Sequence, residues 1–368
     1  MMSQKDITPP SIDKYTHKYS HGNKPVSAFA DGKPTWLGLD GELVTGVYID
    51  MPSEDYHKIK AVSSSLIKKM AFDPHKAEEY WKGEADIDIT PQLKRSFNAG
   101  HLLHGLILEP DIDHGVISPL PNDVLEKKTG KKVIENHDDL KKFLQDNGLG
   151  KGKNIAERVT LANQYKDIIY YPFYLDDFKE RDQNGERTLA LEDFERIEET
   201  VARFKETKPY EVDYKYGGFS ELTVIAFDTE RSCYVKARID RITEDGLMRD
   251  LKTIHNLSED DIRRDLENRL YIIQGAFYQY VCQLINFDFV DPNQFALTFI
   301  EWDKCIRFST VEVDRGSWEQ SKEYMFEIFD DLILWLGDKV TKSSLNHSQS
   351  LVMNLSYYKL KRRPRVQS

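Results

Sequence analysis

The sequence predicts a mixed α/β (α+β) fold: a central mixed β-sheet with a β-meander, flanked by helices and carrying a mainly helical insertion. Three observations predict it. The stretches "GGFSELTVIAF", "CYVKARIDRI" and "LMRDLKT" alternate apolar and polar residues with period two, divided by short breaks, as consecutive strands do. On both sides the period becomes helical, in "SSSLIKKMAF", "SFNAGHLLHGLIL" and "EQSKEYMFEIFDDLILWL". The chain has 368 residues, 40% apolar and 11% aromatic, enough to fill one sizeable core.

In chain order, residues 1–40 are rich in Pro, Ser, Lys and Gly without periodicity, and are expected to form a flexible segment outside the core. The main domain is expected over 41–345. "VYID" reads as a short strand, "SSS" as an N-cap, then a helix around Leu66, Ile67 and Met70, and a second helix begins at Pro74. "SFNAGHLLHGLILEP" reads as a nearly buried helix whose interior polar groups are Asn98, His101 and His104. Residues 111–216 alternate charged helical stretches with Gly and Pro breaks, the expected insertion. After the three strands, Ser258 caps one long helix that runs through "EDDIRRDLENRLYIIQGAFYQYVCQLI"; strand "QFALTFIEW" and the last amphipathic helix close the domain. The tail, 346–368, ends in the basic "YYKLKRRPRVQS".

Composition narrows the function classes. No apolar run reaches the ~18 residues of a membrane span, and the N-terminus lacks the apolar centre of a signal peptide, so a cytoplasmic protein is expected. Cys233, Cys282 and Cys305 are scattered, which excludes a disulfide framework or an all-cysteine metal site. The 51 basic and 62 acidic residues leave −11, so any contact with a polyanion requires a local basic channel in an acidic protein.

The chemistry concentrates in "RIDRITEDGLMRDLKT", residues 238–253. Alternation puts Asp250 and Lys252 on one face. A three-residue turn, Glu244-Asp245-Gly246, sets Thr243 opposite Leu247 and Asp240 opposite Asp250, where like charges about 5 Å apart destabilise unless a cation offsets them. A four-residue turn from Thr229 to Ser232 brings Glu221 opposite Asp240 as a third carboxylate. Hard cations such as Mg²⁺, with Mn²⁺ as a substitute, suit these oxygen ligands, and Lys252 beside them can orient or deprotonate a water or hold a phosphate oxygen. The plain alternative is a solvated charged face, with His104 a core histidine, Gln274 a helix-surface amide and Tyr278 a core-edge aromatic.

"AGHLLHGLILEP", "RID", "DLKT" and "QGAFYQY", in this order, resemble the PD-(D/E)XK nuclease superfamily, and within it the exonuclease VIII (RecE-type) and RecB-like branch. Ile239 stands where the motif's name has Pro. The resemblance implies that His104, Asp240 and Asp250 hold metal, that Lys252 is the catalytic lysine with Asp240, Asp250 and, less securely matched, Glu221, and that Gln274 and Tyr278 contact DNA. It further implies a Mg²⁺-dependent exonuclease acting 5′→3′ on double-stranded DNA ends, a homo-oligomeric ring, and a single-strand annealing protein as partner in phage-type recombination. Rival readings are a single-strand exonuclease of the CRISPR-associated or AddB-like group, whose four cluster cysteines are missing here, a site-specific endonuclease, a sugar or phosphate hydrolase, and a non-catalytic DNA-end binder.

Overall fold

The computed structural model describes residues 20–84, 89–287 and 295–337. The chain divides into two compact units, one drawn from Met1–Asp88 with Lys205–Ser368, the other from Ile89–Phe204. None of the described helices is long and apolar enough to cross a membrane. The basic tail from 346 lies outside the described residues.

The first unit is built on a mixed sheet of eight described strands: β1 (Ser20–Ser27), β2 (Thr45–Ile49), β3 (Val62–Ser63), β4 (Phe219–Asp228), β5 (Cys233–Ile242), β6 (Met248–Thr253), β7 (Phe295–Glu301) and β8 (Arg307–Glu312). The order is β1-β2-β4-β5-β6-β7-β8, and β3 pairs with β5. The meander β4-β5-β6 is antiparallel, whereas β6 and β7 are parallel, which requires a crossover between them. Two helices supply it, Glu259–Asn268 and Tyr271–Leu284. The sequence reads as one helix here. Leu270 breaks it by adopting φ +52°, a left-handed conformation held because its side chain is buried in the core.

Apolar stripes of four helices cover one sheet face. Leu66 and Ile67, then Ala77, Ile273, Phe277 and Val281, and Met325, Phe329 and Leu332 meet Val224, Val235, Ala237, Leu297 and Phe299 in one cluster. Each such buried side chain removes enough apolar surface to stabilise by roughly 1.5–3 kcal/mol, and together they fix where the helices land. Gly275 shows how close that landing is: a Cβ there would stand 2.8 Å from the Phe295 ring. The next residue back is Gln274.

From Ser20 onward the N-terminal segment is not loose, contrary to the expectation for 1–40. Strand β1 pairs parallel with β2, Ala28 is fully buried, and Trp36 packs in a second cluster with Tyr48, Met51 and Tyr56. Backbone pairing at a sheet edge needs no apolar alternation, which is why composition alone misleads here.

The second unit is mainly helical, as expected for the insertion, with two small parallel sheets, Val116–Ile117 with Arg187–Thr188 and Lys132–Ile134 with Ile168–Tyr170. Its bounds differ from the expected 111 and 216. The Pro91–Leu108 helix belongs to it, tied by a two-pronged Arg95–Asp193 pair at 2.6 Å and by Asn98 donating to the Thr188 carbonyl at 2.9 Å. Residues 205–216 belong instead to the sheet unit, where Tyr214 donates to Thr298 at 2.9 Å and Asp213 pairs with Arg249 at 3.0 Å.

Candidate active site

The hairpin register is the one the turn chemistry implies. Thr243 N–H donates to the Leu247 carbonyl at 2.9 Å, Gly246 takes φ +84°, and Ile242 and Arg241 pair with Met248 and Arg249. One step further along this register sets Asp240 across from Asp250. The ladder stops there, and the Asp240 carboxylate takes its place, accepting from the Leu251 N–H at 2.8 Å.

The β4–β5 pairing likewise runs Asp228 to Cys233 through Leu222 to Ile239, and resumes at Ser220 with Arg241. Glu221 and Asp240 occupy the gap. Glu221 has φ +50°, uncommon for a residue with a side chain and a local cost of order 1–3 kcal/mol. The phase of burial slips at that point: Leu222, Val224 and Ala226 face the core, then Phe219 does, and on β5 Val235, Ala237 and Ile239 do, then Ile242. Both strands therefore change face at their carboxylates. Ligand oxygens of Glu221 and Asp240 lie within 4.8 Å of each other.

Lys252 Nζ is 2.6 Å from Asp250 Oδ2 and 3.9 Å from Asp240 Oδ2, and it stands 5.2 Å from the centroid of the Tyr271 ring. Asp250 is 1% exposed. Burial pushes Asp240 up to about 6 against the pull of Lys252, and Glu221 adds to the rise. Burial does the same to Asp250, again about 6, opposed by Lys252 and reinforced by Asp240. Burial works against the Lys252 charge too, but Asp250 and Asp240 outweigh it and hold the ammonium above the ordinary lysine range.

Gln274 and Tyr278, expected to contact DNA, turn their polar atoms inward. Both are buried; Gln274 Nε2 donates to Asp250 Oδ1 at 3.0 Å and to the Tyr278 hydroxyl at 2.9 Å. Their i, i+4 spacing on the crossover helix makes this joint contact possible. Two residues here carry no expectation from the sequence. Arg238 pairs with Glu221 through its Nε and donates to the Met51 carbonyl at 2.6 Å. Lys68, on the Ser64–Phe72 helix, donates to Gln274 Oε1 at 2.6 Å and lies 5.6 Å from the Tyr271 ring centroid. Burial, then Lys252, pulls Lys68 down to about 8. The available signals were the "RID" arginine and the matching four-residue spacing of Ser64 and Lys68. His104 lies half-buried on the Pro91–Leu108 helix of the second unit, where Ala99, Leu102, Leu103 and Ile107 are buried.

The donor set fits a hard divalent cation. The Glu221 and Asp240 oxygens are close enough to share one ion and Asp250 stands beside them, and burial outweighs the pull of Lys252 on both aspartates. A meander bearing Asp, then Asp-x-Lys, under a crossover helix defines the PD-(D/E)XK class of folds. The family model described as "PDDEXK-like domain of unknown function (DUF3799)" matches residues 63–321, and the chain belongs to that family. Among solved structures, one described as "Putative exonuclease" from Eubacterium rectale is similar, with 15% identity over 86% of this chain and 100% of that one, at a TM-score of 0.44. The curated proteins give no match.

Proposed function

We propose that this chain is a divalent-metal-dependent deoxyribonuclease that hydrolyses phosphodiester bonds. The observation that carries the reading is the group Asp240, Asp250 and Lys252 around the buried Asp250, with the lysine 2.6 Å from one carboxylate and 3.9 Å from the other. Asp240, Asp250 and Glu221 would hold Mg²⁺ or Mn²⁺, and the resemblance adds His104. A cation bound there would lower the pKa of a coordinated water and polarise the phosphate. The two aspartates hold Lys252 as a charged donor, and its part is to orient the nucleophile and offset charge gathering on the phosphate oxygens. Gln274 and Tyr278 act behind Asp250 and fix the direction of its Oδ1.

The finer reading follows the sequence resemblance: a cytoplasmic 5′→3′ exonuclease on duplex DNA ends, assembled as a ring, passing a 3′ strand to an annealing protein in phage-type recombination. The test is digestion of linear duplex labelled separately at its 5′ and 3′ ends, beside a closed circle, with Mg²⁺ and with EDTA. Release of 5′-labelled mononucleotides from the linear substrate alone is the expected result. Cutting of the circle would replace the exonuclease with an endonuclease, and metal-independent binding without cleavage would leave an end-binding protein.

A further inference from the structure

We propose that Lys68 is a positioning residue: it fixes which end of the Gln274 amide meets Asp250, and so sets the geometry of the carboxylate that would hold the metal. This inference rests on the metal-dependent reading above.

A glutamine side chain ends in two groups of nearly equal size and opposite character, Oε1 that accepts and Nε2 that donates. Packing cannot tell them apart. In this site the difference matters, because an Oε1 turned to Asp250 would set two acceptors together in a buried place, where an unsatisfied polar group costs about 1–3 kcal/mol. The Tyr278 hydroxyl does not decide the matter, since a hydroxyl can either donate or accept. An ammonium has only donors. With Lys68 Nζ 2.6 Å from the amide oxygen, Oε1 is committed to the lysine and Nε2 is left for Asp250 Oδ1 at 3.0 Å and for Tyr278 at 2.9 Å.

The same helix settles the other end of the pair. The Tyr278 hydroxyl is hydrogen-bonded to Ser64, which is 5% exposed. Ser64 and Lys68 are four residues apart, as are Gln274 and Tyr278, so one turn of each helix reads one turn of the other. Tyr271 lies beside both lysines, its ring centroid 5.6 Å from Lys68 Nζ and 5.2 Å from Lys252 Nζ. One ammonium thus touches Asp250 directly and the other reaches it through an amide.

Charge and positioning make opposite forecasts, which makes the proposal decidable. If Lys68 acted only as a nearby positive charge, its removal would tighten binding of a cation. If it orients Gln274, its removal weakens binding. The experiment is calorimetric titration of Mn²⁺ into the metal-stripped full chain, for wild type, Lys68→Arg, Lys68→Met, Lys68→Glu and Asp240→Asn, with folding followed by circular dichroism. The expected Mn²⁺ affinity is unchanged within about twofold for the donor-only Lys68→Arg. It is about tenfold weaker for Lys68→Met, and weakest for Lys68→Glu, which as an acceptor forces the amide to flip. In a Gln274→Leu background the Lys68→Met change should have no further effect, because there is no amide left to orient. Equal or tighter Mn²⁺ binding by Lys68→Met overturns the proposal, as does a rise in KM for DNA at unchanged Mn²⁺ affinity, which would make Lys68 a direct phosphate contact. Wild-type binding that Asp240→Asn abolishes, with the Lys68 variants unmoved, overturns this inference alone. Absence of any Mn²⁺ binding that depends on Asp240 overturns the metal-dependent reading with it.

Discussion

Replacing Asp240 by Asn should make the metal-free protein more stable at neutral pH while abolishing cleavage. The magnitude comes from the carboxylate's own titration. Its pKa rises from 3.8 to about 6 on folding, with burial as the main cause. Between those two values the folded state holds the proton more tightly than the unfolded chain, so stability falls as pH rises through that window. At about 1.4 kcal/mol per pH unit the ionised Asp240 costs ~3 kcal/mol by pH 7.5, and about half of that at pH 5. Asn keeps an acceptor for the Leu251 N–H, now at 2.8 Å, and leaves Lys252 its closer partner at 2.6 Å. The pull of Lys252 across 3.9 Å is already contained in that figure, because it is one of the causes that set the carboxyl at about 6. The net expectation is a gain of about 3 kcal/mol at pH 7.5, shrinking to about 1.5 kcal/mol at pH 5. Urea unfolding in EDTA at the two pH values measures it. A variant that is less stable than wild type at pH 7.5, or a gain equal at both pH values, would refute the argument that this carboxylate is strained by burial and unmet repulsion.

Divalent-ion affinity should fall as the pH drops through about 6, because Asp240 and Asp250 must both release a proton to bind, and calorimetry at pH 5.0 and 7.5 in matched ionic strength tests this. Lys252→Met should reduce cleavage by about 10²–10³-fold and push Asp250 above about 6, since its closest cation is removed; single-turnover rates and a pH titration read both effects. Gly275→Ala should destabilise by about 1–3 kcal/mol, because the added Cβ meets the Phe295 ring at 2.8 Å, and the displaced Gln274 should weaken Mn²⁺ binding in the same variant.

The meander was legible because its information is local. Gly246 at a left-handed turn position and strict alternation in "YVKARID" are enough to count Asp240 onto Asp250, and the turn from Thr229 counts Glu221 onto Asp240. The slip in phase at Glu221 was not legible, since it depends on two strands changing face together. Lys68 was hidden for a different reason: its partner is 206 residues away, and a lysine on a helix surface looks the same whether or not a buried amide waits opposite. Leu270 was invisible as a break because nothing in "ENRLYIIQ" disfavours a helix; burial of that one side chain decides it. Gln274 and Tyr278 were correctly placed on one helix face. What the sequence could not tell is that the face points at Asp250.

The most direct test of the central claim is the single-turnover rate of phosphodiester hydrolysis on linear duplex DNA, in Mg²⁺ and in EDTA, for wild type beside Asp250→Asn and Lys252→Met variants shown to be folded. Cleavage by the wild type in Mg²⁺ only, and its loss in both variants, is the expected result. Cleavage that survives in EDTA, or in either folded variant, would contradict it and move the chemistry away from the Asp240, Asp250 and Lys252 group.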